Sequence, residues 1–71
     1  MKNRKYVLRN SKHFYSTVSV EHQKIVLPKL KTTPVEEDHI VVYYSDEGMC
    51  IFEVLEDTPE LLHLNFVSTA S

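Results

Sequence analysis

The sequence contains few of the residues on which phosphate loops, disulfides and metal sites depend. Among its 71 residues there is one Gly, one Cys and no Trp. One Gly excludes a glycine-rich phosphate-binding loop, and one Cys excludes an internal disulfide. The four His lack the i, i+2 and i, i+4 spacings of metal-ligand pairs, and no Cys-x-x-Cys pair occurs. We therefore expect no enzyme activity, no cofactor and no metal site.

Long apolar runs are absent as well. No stretch approaches the roughly 20 apolar residues of a membrane-spanning helix, so we expect no membrane association. Cys50, flanked by Met49 and Ile51, is expected to be a buried apolar residue. A lone Cys is typical of a reducing compartment, which predicts a cytoplasmic protein, in the host cytoplasm if the protein is viral.

The chain is short enough for one small domain only, residues 1–71. A domain of this size buries roughly 60% of the surface that its unfolded chain exposes, so its stability is marginal. Nearly all of its apolar residues must then enter the core, or a partner chain must supply part of the burial. A homodimer is one way to meet this need.

Basic residues are missing from the second half of the chain. Residues 1–33 hold all eight Lys and Arg and one acidic residue, Glu21, for a net charge of +7. Residues 34–71 hold nine acidic residues and no Lys or Arg, for a net charge of −9. The two halves either neutralise each other across adjacent strands or present opposite faces to charged partners.

The hydrophobic pattern has mostly a period of two, which is typical of strands. Strand residues are found at 5–9, 14–20, 39–45, 49–55 and 61–67, with a brief apolar run at 25–27 that ends at Pro28. Short connections favour antiparallel pairing. We predict a mainly β fold, or α+β with one short helix, formed by a small single antiparallel sheet or a partly open barrel of five to six strands.

Two turns and one undecided segment connect these strands. Residues 45–48 predict a hairpin turn, in which Gly48 would supply a left-handed backbone at little cost. Residues 57–60 predict a second turn, where Thr58 could cap a one-turn helix that begins at Pro59. Residues 29–33 form either a loop or one helical turn.

From Val18 onward the sequence resembles the phage inhibitors of uracil-DNA glycosylase. The matching residues are 18–21, 27–28, 34, 37–38, 40–44, 46–47, 57, 59–60 and 67. The resemblance implies a β-rich inhibitor that places an acidic edge strand in the DNA groove of the enzyme and buries an enzyme leucine in an apolar pocket. It would place Glu21 and His22 on that edge strand, and Val26, Val41 and Met49 around the pocket.

A second set of residues resembles the AbrB/MazE-type swapped-hairpin proteins. The matching residues are 19–20, 23–29, 38–42, 48 and 51. This resemblance implies an intertwined homodimer that binds DNA, with Lys24, Lys29 and Lys31 facing the phosphates. Three aromatic residues lie within or close to the basic segments and could stack on bases: Tyr6, Phe14 and Tyr15.

Our main hypothesis is a non-enzymatic regulator or inhibitor that binds another protein, and the expected partner class is a nucleic-acid enzyme such as uracil-DNA glycosylase. Glu36, Glu37 and Asp38 would steer association as an acidic β surface that imitates DNA, and an apolar contact near Val41, Phe52 or Met49 would slow dissociation. The alternative is a homodimeric DNA-binding regulator or antitoxin. A structural subunit of a larger assembly is a third hypothesis.

Overall fold

A computed structural model describes residues 5–70 of the chain. Its elements follow the order β1 (Lys5–Arg9), α1 (Ser11–Thr17), α2 (Val20–Leu30), β2 (His39–Tyr43), β3 (Met49–Asp57) and β4 (Leu61–Ala70). The four strands of this region form one open sheet in the order β1-β4-β3-β2. β2, β3 and β4 pair antiparallel, whereas β1 runs parallel to β4.

The mainly β character is confirmed, but three details of the prediction are wrong. The described region has four strands rather than five or six, and its sheet is mixed rather than antiparallel. Two helices precede β2, whereas we predicted at most one short helix. Both helices lie between β1 and β2, so the chain crosses the sheet after β1 and begins β2 at the opposite edge. β3 and β4 then follow in turn, and β4 comes to lie beside β1 and parallel to it.

The segment at 14–20, which we predicted to be a strand, is helical. Phe14 and Val18 are both buried, and their i, i+4 spacing also fits one face of a helix. Ser19 separates the two helices as the N-cap of α2, because its side chain accepts a hydrogen bond from the His22 N–H at 3.3 Å. Val20, expected on the same strand face as Phe14, is 65% exposed.

α2 continues through Pro28 instead of ending there. Proline in a helix removes one backbone donor and crowds the preceding turn, which is costly. Here it lies in the last turn, and the two residues beyond it bring Leu30 into the core, where it is fully buried. The apolar run at 25–27 is thus part of a helix, and residues 29–30 form its end.

The core lies between the helices and one face of the sheet. Three phenylalanine rings meet at its centre: the centroid of Phe14 lies 5.7 Å from that of Phe52 and 5.3 Å from that of Phe66. The other buried apolar residues surround them: Val18, Val26, Leu30, Ile40, Val42, Cys50, Leu62 and Leu64. Both helices therefore cover the same face of the sheet, and the opposite face has no covering element within residues 5–70.

A two-residue turn leads into β2. Glu36 and His39 exchange both backbone hydrogen bonds, at 2.8 and 2.9 Å, and the two residues between them have positive φ, 48° for Glu37 and 67° for Asp38. Two central residues with positive φ are the signature of a type I′ turn, which favours Asn and Gly. Glu37 and Asp38 adopt this backbone at a cost, because a side chain crowds the left-handed region.

We expect Glu37→Asn to stabilise the protein by about 0.5–1 kcal/mol, since Asn tolerates the left-handed backbone better than Glu. Urea unfolding followed by circular dichroism measures this difference. Glu36→Asn is the matched control, because it removes the same charge from the same turn at a residue without positive φ. Equal stabilisation by both variants would mean that charge repulsion, and not the backbone, is the source of the cost.

Candidate interaction surface

The face of the sheet that the helices leave uncovered is the main candidate site, and we call it the open face. Side chains alternate along a strand, so the neighbours of the buried core residues project from this face. Seven large apolar side chains in the described region are exposed, and four of them belong to the sheet: Val7, Tyr43, Leu55 and Val67. Leu55 and Val67 lie at the two β-bulges of the β3–β4 pair, next to open-face residues.

The strand register shows which open-face residues are neighbours. At the end of the sheet near the 44–48 turn, Val41 lies opposite Ile51 and Tyr43 lies opposite Met49. We call these four residues the apolar cluster. Ile51, Val41 and Met49 are half-buried, whereas Tyr43 is 62% exposed. The cluster offers one strongly exposed aromatic ring beside three aliphatic or thioether side chains.

A row of polar residues crosses the open face beside the apolar cluster. His39 pairs with Glu53, Glu53 with Asn65, and Asn65 with Arg9, so the row spans all four strands. Beyond it lies a second group, in which His63 is paired with Val7 on one side and with Glu56 on the other. The apolar cluster is therefore bordered along the strands by polar and charged residues of the same face.

Charges of opposite sign lie on strands that are not neighbours. Lys5 and Arg9 are on β1, and the carboxylates of the sheet are on β3. Between them runs β4, which contains no Lys, Arg, Asp or Glu. Within the described sheet, therefore, no Lys or Arg of β1 is directly paired with a carboxylate of β3. Instead, the open face has a basic margin at β1 and an acidic side at β3 and the 36–39 turn.

The structure brings together part of the predicted binding site. Glu36, Glu37 and Asp38 are exposed in the turn that begins β2, and Val41 and Met49 belong to the apolar cluster on the open face. The sequence argument did not single out His39, Tyr43 or Ile51. Their signal was present, since Tyr43 follows Val41 and Ile51 follows Met49 at a spacing of two, on the same strand faces.

Four residues that we predicted to contact the partner are elsewhere, and one of them, Phe52, is fully buried at the centre of the core. Glu21 and His22 lie in the first turns of α2 and not on an edge strand, because Ser19 caps a helix there. The His22 ring packs on Tyr44, with ring centroids 4.2 Å apart. Val26 is fully buried in the core beneath α2 and cannot line a pocket with Val41. The edge-strand position that the glycosylase-inhibitor resemblance implied for Glu21 and His22 is therefore wrong.

The three lysines of the DNA-binding alternative do not share one surface. Lys24 and Lys31 are about two helical turns apart, on one side of α2. Lys29 points elsewhere and donates a hydrogen bond to the Tyr43 carbonyl at 3.0 Å. Phe14, expected to stack on bases with the other aromatic residues, is fully buried. The swapped-hairpin resemblance placed a strand and a loop where α2 is found.

The free edge of β2 borders a cavity of about 310 Å³. Its lining consists of Thr33, Pro34, Glu36, His39, Val41 and Tyr43. Ile40 and Val42 direct their backbone groups to β3, and the odd-numbered residues of β2 direct theirs to this edge. Glu36 pairs with His39 and Lys29 with the Tyr43 carbonyl, so among residues 5–70 the Val41 backbone and the Tyr43 N–H are left without a hydrogen bond.

Other groups give no indication of catalysis in the region described. Cys50 is buried, as predicted, and burial raises the pKa of its thiol to about 11, so the reactive thiolate is scarce at neutral pH. Within residues 5–70, no three His, Cys, Asp or Glu side chains converge on a point where a metal ion could bind. Neither helix of this region is long and apolar enough to cross a membrane.

Comparison with known proteins found no protein-family model, no characterised protein and no solved structure that matches the chain.

Proposed function

We propose that this protein is a non-catalytic protein-binding module, a regulator or inhibitor that binds its partner on the open face. The observation that supports this proposal is the apolar cluster, in which the exposed Tyr43 ring lies beside Val41, Met49 and Ile51 on the face that neither α1 nor α2 covers. Exposed apolar groups framed by polar residues are typical of protein interfaces. Tyr is also enriched among the residues that dominate binding energy.

The size of the molecule is compatible with one such interface. A standard protein–protein interface buries about 800 Å² on each partner. The two longest dimensions of the chain are 29 and 23 Å, so a contact of that size would use essentially one whole face. The helical side is less suited to this role, because its exposed apolar residues, Tyr15, Val20 and Ile25, alternate with charged and polar ones.

Electrostatics suggest the chemistry of the partner. Glu36, Glu37 and Asp38 are exposed beside the apolar cluster, and Glu53 projects from the open face itself. A partner whose apolar contact residues are surrounded by Lys and Arg would be attracted to this side. Basic surroundings of this kind occur in the nucleic-acid grooves of enzymes, so we keep a nucleic-acid enzyme as the proposed partner class.

We expect Val41→Lys to abolish partner binding, since it places a strongly hydrated charge in the centre of the apolar cluster. The measurement is affinity capture from the cells that make the protein, with wild-type and variant chains as bait and mass spectrometry as readout. Val20→Lys is the matched control, because it makes the same exchange on the exposed helical side. The proposal requires one basic partner that wild type and Val20→Lys retain and Val41→Lys loses.

The association rate of the captured partner tests the acidic contribution. Reversal of Glu36, Glu37 and Asp38 to Lys should slow association by about tenfold or more at low salt and much less at high salt. An unchanged rate at low salt would contradict steering by these carboxylates. A duplex-DNA mobility shift that weakens steeply with salt would favour the DNA-binding alternative instead; we expect no shift.

A further inference from the structure

We infer that the cavity at the free edge of β2 binds the guanidinium group of an arginine side chain from the partner. This inference rests on the proposed function, since it names the partner residue that contacts one margin of the open face. The cavity, about 310 Å³ in volume, is lined by Thr33, Pro34 and Glu36 and by three residues of β2, His39, Val41 and Tyr43. It is large enough for one long side chain.

Hydrogen-bond acceptors outnumber donors in the cavity wall. The Glu36 carboxylate lines it and makes no hydrogen bond or ion pair within residues 5–70. The Val41 carbonyl points to the free strand edge and has no partner in the same part of the chain. The N–H groups of Val41 and Tyr43 are the free backbone donors at this edge in the described region, and the negative charge of Glu36 beside them makes a cation rich in N–H groups a better fit than an anion.

His39 contributes a third acceptor. Its Nδ1 lies 3.0 Å from the Glu37 carbonyl oxygen. A carbonyl oxygen can only accept, so this contact requires the proton to be on Nδ1. In the neutral ring Nε2 is then an acceptor, and the backbone pairing of His39 with Glu36 holds the imidazole at the cavity wall. A carboxylate, an imidazole nitrogen and a carbonyl therefore surround the same space.

The aromatic ring of Tyr43 favours guanidinium over ammonium. Tyr43 is 62% exposed and lines the cavity, and planar guanidinium groups stack on such rings. Lys29 is not part of the wall. Its ammonium group donates a hydrogen bond to the carbonyl of Tyr43, the next residue after Val41 whose backbone faces this edge. The five N–H donors of Arg can contact several separated acceptors at once, whereas a lysine ammonium is a point charge.

The test uses the full chain and small probes. Assigned ¹H–¹⁵N NMR spectra are recorded at low salt during titration with acetyl-arginine amide, acetyl-citrulline amide or acetyl-lysine amide. We expect saturable shifts at Glu36, His39 and Val41 with the arginine probe, in the millimolar range. The citrulline probe, which has almost the same shape without the charge, should bind at least about tenfold more weakly, and the lysine probe should be weaker than arginine.

Two variants test whether acetyl-arginine amide binds in the cavity. Glu36→Gln should weaken binding of acetyl-arginine amide by at least about fivefold, because it removes the charge of the acceptor. Glu47→Gln, in the exposed 45–48 turn, removes the same charge at a distance from the cavity and should leave the dissociation constant unchanged. Both side chains are exposed, so neither change should affect folding.

Three results would overturn the inference: equal shifts with the arginine and citrulline probes, lysine binding as tightly as arginine, or equal loss of binding in the two variants. None of these results bears on the open face itself. Partner capture that still depends on Val41 would leave the proposed function standing without the arginine contact. Conversely, if the arginine probe binds but no captured partner depends on Val41, the arginine site would stand and the proposed partner-binding function would be contradicted.

Discussion

Phe14→Ala is expected to lower the free energy of unfolding by about 3–5 kcal/mol, the largest loss among the single substitutions considered. The Phe14 ring is fully buried and lies against Phe52 and Phe66, so its removal leaves a cavity where α1 meets the sheet. Whole domains are typically stable by about 5–15 kcal/mol, and small ones are near the lower end. Urea unfolding followed by circular dichroism should show a much lower midpoint, or a chain that is already partly unfolded in buffer.

Tyr15→Ala is the matched control for this prediction. Tyr15 is the next residue on α1, it is also aromatic, and it is 52% exposed. Its truncation should cost about 1 kcal/mol or less, because half of the ring already contacts water. Similar losses for the two variants would contradict the orientation of α1, in which Phe14 and not Tyr15 faces the sheet.

Gly48→Ala is expected to destabilise the protein by about 1–3 kcal/mol, the cost typical of overpacking. Gly48 does not have positive φ, so our prediction of a left-handed backbone at this residue is wrong. Glycine is needed for space instead: a Cβ atom here would lie 2.5 Å from Cε1 and 2.6 Å from Cζ of Tyr44. The Tyr44 ring would have to move, and with it the contact with His22 on α2.

A double-mutant cycle separates this explanation from a backbone effect. In a Tyr44→Ala background the space beside Gly48 is empty, and the same Gly48→Ala change should be neutral or stabilising by about 0.4–1 kcal/mol, since alanine reduces the entropy of the unfolded chain. Chemical denaturation of the four proteins gives the coupling energy. Destabilisation of equal size in both backgrounds would show that the ring is not the cause.

The four strands β1 to β4 could be predicted because their signals are local. Residues 39–45 and 49–55 contain β-branched and aromatic residues around a four-residue turn, and the structure has β2 and β3 there. The prediction at 14–20 failed for a specific reason. Phe14 and Val18 are four residues apart, which is a whole number of periods for a strand and close to one turn of a helix, so their spacing could not distinguish the two.

The candidate site was predicted only in part, for the same reason. Val41 and Met49 are found on one face because a period of two is correct for β2 and β3. Glu21, His22 and Val26 were misplaced because their segment forms α2. The parallel pairing of β1 with β4 joins residues from opposite ends of the chain, and no local pattern encodes that choice, so the open face could not be derived from the sequence.

The pairing of β1 with β4 determines when, during synthesis, the sheet can be completed. β4 is the neighbour of both β1 and β3, yet it is the last element of the described chain. During synthesis β1 emerges first and has no strand to pair with until residues 61–65 have left the ribosome. Until then the apolar residues of β1 and α1 lack the strand that they pack against in the finished fold. A chain interrupted before residue 61 would therefore leave two strands without their common neighbour.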